Sequence, residues 1–293
     1  MNAKPFISIV IIGLNTKNEL KSLLISIKNL NNKSVEIVYI DDGSSDGSYE
    51  MYSSFALQYN KKGKKLNSNM GRTYATHEGI LLTEGEWLCF IRSNETFKNN
   101  TLDNYLNVVK HTNAKAYAGQ VIYSCSDKSF EHYLNSKRRG VQQFSCGEKI
   151  HHKYLLFNNS FIHCSVFKSI LLNQGLTGYG GEELDFSHRL NKMYPNQIIA
   201  CPDATVVRND YPSLQKHCLR LYEFGHINFK LFPSYLKIDV VRFQCLLNYK
   251  IGFIISGVST FLFFLYKKNI YNYLTIRVIM LGSILQGYYY KGS

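Results

Sequence analysis

The stretch from Glu36 to Asp46, Glu-Ile-Val-Tyr-Ile-Asp-Asp-Gly-Ser-Ser-Asp, constrains the fold more than any other. Its run Ile37–Ile40 is continuous in β-favouring apolar residues, the pattern of a strand buried on both faces, and it ends in two carboxylates and a glycine turn. Strands of that kind build open parallel sheets, in which ligands bind beyond the carboxyl ends. Asp41 and Asp42 are therefore expected to face a crevice rather than a core. The same residues also make an ordinary capped turn, in which Asp and Ser satisfy loop amides before the next helix.

The neighbouring sequence repeats the pattern. A strand at Ser8–Ile12 leads into Asn18–Leu30, where Leu20, Leu23, Leu24 and Ile27 fall on one helical face. Tyr52, Phe55, Ala56 and Tyr59 repeat that spacing, Lys61–Lys65 reads as a solvated basic turn, and a helix is expected over Gly71–Leu82. Trp87–Ile91 is the next strand, followed by a helix over 101–111 and a strand at Ala116–Tyr123. This alternation predicts an α/β domain, a mostly parallel sheet with helices on both faces. From Cys125 to His152 the periodicity fails; a lid over a substrate and a solvated basic loop carrying Lys137, Arg138 and Arg139 both fit. His151 and His152 are adjacent, a spacing that is not a metal motif, and receive no role.

The first-strand segment Pro5–Asn15, the Asp41-Asp42 turn, Asn69-Met70-Gly71-Arg72, the strand Gly85–Ile91, and Gly178-Tyr179-Gly180-Gly181-Glu182-Glu183-Leu184-Asp185 together resemble the family 2 inverting glycosyltransferases of bacterial surface-glycan synthesis. The resemblance covers roughly the first three quarters of the chain. It implies the GT-A fold, a Rossmann-like sheet flanked by helices, and a nucleoside diphosphate sugar, chiefly a UDP-sugar, as donor. It assigns donor contacts to Asn15, Asp41, Asp42, Arg72, Arg92, Asn94 and Glu95, with Asp42 on the base or ribose, and acceptor contacts to Glu182 and Asp185. Glu183 aligns with the catalytic base, where the family usually has Asp. An inverting transfer needs a carboxylate there because the acceptor hydroxyl must lose its proton as it attacks the anomeric carbon. Acids in a helix's first turn also simply complement its dipole.

The chain departs from the family after Ile91. An Asp-x-Asp usually holds Mg²⁺ or Mn²⁺ there, whereas this sequence has Arg92-Ser93-Asn94, leaving Glu95 as the single carboxylate a cation would use. The replacement leaves a requirement for Mg²⁺ or Mn²⁺ open, with Glu95 as the one possible carboxylate ligand. Either the guanidinium of Arg92 replaces the ion, pairing with the diphosphate, or the chain is a noncatalytic sugar-nucleotide-binding subunit of a glycan assembly complex. The Gln-x-x-Arg-Trp of processive relatives is absent at Gln215–Cys218, so transfer of one or a few sugars is expected.

Composition bounds the partners. The 293 residues carry 34 Lys and Arg against 21 Asp and Glu, a formal +13 that suits a diphosphate, an acidic membrane face or nucleic acid. No nucleic-acid module supports the last. The seven scattered cysteines form no Cys-x-x-Cys pair and the amino terminus shows no secretory pattern, so reduced thiols in the cytosol are expected.

The end of the chain changes character. Ile251–Tyr266 is uncharged between Lys250 and Lys267-Lys268, and Tyr273–Leu285 is a second apolar run closed by Tyr288, Tyr289 and Tyr290. Flanking lysines and aromatics suit a membrane interface, although a buried helical hairpin has the same pattern. The expected division is a transferase domain over 1–232 and a membrane-association segment over 233–293. In that segment Ser234–Lys250 is an interfacial helix, and a helical hairpin inserted in the inner leaflet and one lying on it both fit, either one placing the protein at the cytoplasmic face of the cell membrane. The acceptor is then a lipid-linked or surface glycan, and deletion of 233–293 is expected to leave the sheet folded.

Overall fold

The computed structural model describes residues 6–30 and 34–290. In chain order the elements are β1 (Ile7–Gly13), α1 (Lys17–Lys28), β2 (Val35–Asp41), α2 (Ser48–Ser54), β3 (Asn60–Lys65), α3 (Arg72–Leu81), β4 (Trp87–Arg92), β5 (Glu95–Phe97), α4 (Thr101–His111), β6 (Ala116–Cys125) and α5 (Lys128–Leu134). There follow β7 (Ser160–His163), α6 (Ser165–Ser169), α7 (Glu182–Met193), β8 (Ile198–Tyr211), α8 (Leu214–His226), α9 (Asn228–Leu231), α10 (Ser234–Val241), α11 (Tyr249–Lys267) and α12 (Tyr273–Tyr289). The strands form one sheet in the order β3-β2-β1-β4-β7-β6-β8-β5.

The first four strands pair in parallel, and their order reverses direction between β1 and β4. From β7 onward the sheet is antiparallel in the β4–β7, β6–β7 and β5–β8 pairs. Burial on both faces follows from the strand sequences. On β1, Ile7, Ile9 and Ile11 pack with Leu20, Leu23 and Tyr39. Val10 points the other way, into a cluster with Phe90, Phe157 and Phe186.

Two compact units emerge. One comprises Met1–Ser124, Lys137–Gln174 and Phe186–Asn209; the other comprises Cys125–Ser136, Gly175–Asp185 and Asp210–Ser293. The division expected at 232/233 falls inside the second unit, whose core joins Leu176, Phe224, Phe229 and Phe232 to Ile284 and Leu285 of α12.

Three sequence expectations need correction. Lys61–Lys65 is a strand, not a turn: β3 pairs with β2 from Glu36↔Asn60 to Asp41↔Lys65. Lysines are what a sheet edge carries to block further pairing. Here they also have partners, since Lys62 Nζ lies 2.8 Å from Glu36 and 2.7 Å from Glu84, and Lys61 Nζ donates to the carbonyl oxygens of Tyr52, Ser53 and Phe55 at the end of α2. The stretch 125–152 contains α5 and two single 3₁₀ turns, at Val141–Gln143 and His152–Tyr154. Asp127 caps α5 by accepting from Phe130 N at 3.1 Å. Ser234–Lys250 is not one helix: α10 stops at Arg242, which has φ 70°, and a 3₁₀ turn at Gln244–Leu247 follows.

Candidate active site

In the first unit, loops gather at the carboxyl ends of β1, β2 and β4, the place where an open sheet of this topology takes a ligand. Gly13 ends β1 because nothing larger fits: a Cβ there would lie 2.8 Å from Ser93 Oγ and 3.0 Å from Thr16 Oγ1. Thr16 Oγ1 donates to Ser93 Oγ at 2.7 Å, tying the β1 loop to the turn after β4. Asn15, at φ 50°, is exposed. Its backbone N–H donates to Ser44 Oγ at 2.8 Å and its Oδ1 accepts from Ser45 N at 3.0 Å, so it orders the β2 loop.

The two aspartates separate. Asp41 does not face a crevice: it is fully buried, Oδ1 accepts from Ser44 N at 2.6 Å and Oδ2 from Tyr39 Oη at 3.1 Å. It caps its own turn, as the alternative reading of that motif holds. Asp42 lies one position further along. Its N–H donates to Gly13 O at 2.9 Å and its Oδ1 accepts from Met70 N at 2.8 Å, which docks the loop before α3. Gly43, at φ 85°, permits this, since a Cβ would fall 2.5 Å from the Ser68 carbonyl carbon. Burial pushes the Asp42 carboxyl up; the Met70 and Gly71 amides pull the other way, and neighbouring Asp41 adds to the rise. Arg72 is half-buried at the first position of α3, directly after Gly71 at φ 88°.

Arg92 and Asn94 are half-buried and Ser93 is buried against Thr16. Glu95 is 0% exposed; its Oε2 accepts from Arg92 N at 2.9 Å and its Oε1 lies 3.9 Å from Arg208 Nη1. Arg208 was not legible from the sequence, because β8 carries Pro202 and Asp203 and so breaks the alternation that marks a strand. The Glu95↔Arg208 register of β5 and β8 brings the pair together. Asn158, Asn159 and Ser160, which lead into β7, form a buried polar knot. Asn159 Nδ2 donates to Gln120 O and Ala204 O, both at 2.8 Å.

Glu182, Glu183 and Asp185 occupy the first turn of α7 and belong to the second unit. Glu182 and Glu183 are buried and Asp185 is half-buried. Gly180 and Gly181, at φ 76° and 93°, turn the backbone into this helix. A Cβ on Gly181 would lie 2.7 Å from both Phe224 and Phe232. Asn228, which sequence reasoning passed over, holds the turn: its Nδ2 donates to Gly178 O at 2.8 Å and to Gly180 O at 2.7 Å, and its Oδ1 accepts from Gly178 N at 3.1 Å. An isolated Asn after a helix gives no local signal of such a contact.

The sequence over residues 8–171 matches the family model "Glycosyl transferase family 2", a range that holds the donor-side loops and ends before Glu182. The chain is 27% identical over 168 residues to the glycosyltransferase GlyG of Streptococcus pneumoniae, covering 56% of each chain. It is 26% identical over 139 residues to a cholesterol galactosyltransferase of Borreliella burgdorferi, covering 47% of this chain and 37% of that protein. The chain thus spans about half, or less, of the length of these curated relatives. Among solved structures it resembles S. aureus TarS in complex with UDP-GlcNAc, with a TM-score of 0.59 and 14% identity over 83% of this chain and 73% of that one. It also resembles a mannosyltransferase from Pyrobaculum calidifontis in complex with GDP-Man and Mn²⁺, with a TM-score of 0.64 and 12% identity over 98% and 86%. At these identities the likeness speaks for the fold, which is GT-A-like. With more than half of its residues in the matched range, the chain belongs to glycosyl transferase family 2.

Proposed function

We propose that this chain is a membrane-associated inverting glycosyltransferase, carrying a sugar from a nucleoside diphosphate donor to a hydroxyl of a lipid-linked or cell-surface glycan, one or a few sugars per acceptor. The observation that carries the reading is the family match over the loops at the ends of β1, β2 and β4. A UDP-sugar is the preferred donor because TarS, a fold neighbour, is known with UDP-GlcNAc and with UDP.

In this reading Asp42 meets the base or ribose and Arg72 and Arg92 meet the diphosphate. Glu183 takes the proton from the acceptor hydroxyl as its oxygen attacks the anomeric carbon, and the bond from that carbon to the diphosphate breaks on the opposite side. Glu182 and Asp185 bind the acceptor. The residues around Arg92 do not fit a divalent cation: Arg92 offers no lone pair, Asn94 one neutral oxygen, and the Glu95 carboxylate is fully buried beside Arg208. The positive charge is therefore assigned to Arg92, a bidentate partner for phosphate oxygens.

The same replacement favours a second reading, a noncatalytic subunit that binds sugar nucleotide. Purified protein offered a panel of nucleotide sugars with a membrane extract distinguishes the two. Release of nucleoside diphosphate that depends on the extract supports transfer, whereas donor binding without release supports the subunit.

At the carboxyl end, α11 is long and apolar enough to cross a membrane, and only 17% of its most apolar window is buried. This is compatible with association with a membrane through the second unit.

A further inference from the structure

The surface of α11 is inverted relative to a soluble helix. The positions it buries are Gly252, Ser256, Ser259 and Tyr266, whereas Phe253, Ile254, Phe261 and Phe264 are 66%, 62%, 60% and 57% exposed. At about 100° per residue those four share one side of the helix. Soluble proteins do not ordinarily expose so contiguous an apolar face.

The inner side is closed by small residues. Gly282 of α12 packs onto Ser259 and Gly252 packs onto Tyr289, an antiparallel pairing. On its other flank α12 lies against α8, with Gly225 at Ile284 and Gly287 at Tyr222, again antiparallel and too close for any Cβ. The α8 helix bears Lys216, Arg220 and Glu223. These three helices are therefore a layer with charge on one side and bare phenylalanines on the other.

Both ends of α11 are tied to other parts of the second unit. Tyr266 Oη donates to Asp127 Oδ1 at the start of α5, and Tyr271 Oη donates to Ser129 Oγ at 2.6 Å. At the opposite end Tyr289 Oη, packed on Gly252, donates to Leu246 O at 2.8 Å. A crossing helix would have its two ends on opposite sides of the bilayer, and would draw α12 and the charged α8 beside it into hydrocarbon, where charge is costly.

Building on the membrane association proposed above, we propose that α11 lies in the plane of an anionic leaflet, seating its Phe253–Phe264 side at the headgroup–acyl boundary without crossing. Charge complementarity selects the occupant. Lys250, Lys267 and Lys268 are exposed and bracket the apolar side, and the Lys267 and Lys268 ammonium groups sit 5.0 Å and 5.9 Å over the rings of Phe263 and Phe264, which places cationic groups at the rim of the apolar surface, where lipid phosphates would lie.

The full chain has one tryptophan, Trp87, buried in the sheet, so a second one reports its own surroundings. Phe253→Trp, Phe261→Trp and Phe264→Trp are made singly and mixed with vesicles of phosphatidylcholine and phosphatidylglycerol brominated either near the headgroup or near the chain ends. All three are expected to be quenched alike, and more by the shallow bromines. Replacing the three lysines by glutamine is expected to weaken sedimentation with these vesicles, roughly fivefold per lysine, toward the level seen with phosphatidylcholine alone. Strongest quenching of Phe261→Trp by the deep bromines, with its neighbours shallower, would mean a crossing helix and overturn the in-plane placement while leaving membrane association intact. Failure to sediment with any vesicle, with a dimer by sedimentation equilibrium, would give the apolar side to a second copy and overturn both. Neither result depends on transferase activity.

Discussion

Arg208 and Glu95 face each other across the antiparallel strands β5 and β8, Nη1 3.9 Å from Oε1, both side chains buried. The single carboxylate next to the altered metal motif thus already has a cation at its side. Transfer is accordingly expected to persist in EDTA, and Arg92→Ala is expected to lower kcat by about a hundredfold to a thousandfold, the usual effect of removing one preorganised charge partner. Loss of wild-type activity in chelator, restored by Mn²⁺, would return the role to a metal.

Burial pushes the Asp42 carboxyl up, against the pull of the Met70 and Gly71 amides. A raised carboxyl stabilises the fold below its unfolded pKa and loses that contribution as pH rises through the folded value, so at neutral pH the charge works against stability. Asp42→Asn keeps an oxygen for Met70 N, and its Tm at pH 7 is expected to equal or exceed that of wild type. UDP affinity is expected to fall about tenfold or more, since a charge-assisted hydrogen bond is lost. Calorimetry and nucleotide titration on the same samples check both halves.

Glu36 behaves oppositely. Burial pushes this carboxyl up, but Lys62, Ser8 and the Glu84 amide prevail and hold it below its ordinary value. Its contribution is present above the unfolded pKa and is lost as pH falls through the depressed folded one. Glu36→Gln is expected to flatten the acid limb of the stability curve below about pH 4.5 and to lower stability at neutral pH. Urea midpoints measured across that range test it.

The Asn228 amide bonds three backbone groups of the turn leading into α7. Asn228→Ala would leave partly buried carbonyls without their donor, a cost of about 1 kcal/mol. Acceptor turnover is expected to fall while UDP affinity stays unchanged, because the donor loops lie in the other unit. Equal loss of both would assign Asn228 a merely structural role.

Much of the first unit is legible in sequence because its strands are buried on both faces: Ile7–Ile11, Ile37–Ile40 and Trp87–Ile91 allow no other reading of their apolar runs. The rest depends on partners distant in the chain. Lys61–Lys65 looks solvated until Glu36, Glu50, Glu78 and Glu84 are placed around it. Asp41 and Asp42 are indistinguishable by type, and only the Ser44 and Met70 amides tell a turn cap from a loop clamp. Residues 233–293 read as a separable tail, whereas Ile284 and Leu285 share a core of the second unit with Leu176 and Phe224, a contact between residues distant in the chain. A chain truncated before residue 233 is expected to aggregate or to lose the cooperative unfolding of the second unit.

The role proposed for Glu183, the base of a sugar transfer, is tested by Glu183→Gln assayed for donor binding and for acceptor-dependent nucleoside diphosphate release in parallel. Wild-type UDP-sugar affinity is expected, with release reduced by about a hundredfold to ten-thousandfold, because the amide keeps the shape and accepts no proton. Unchanged release, or donor affinity lost together with release, would contradict it.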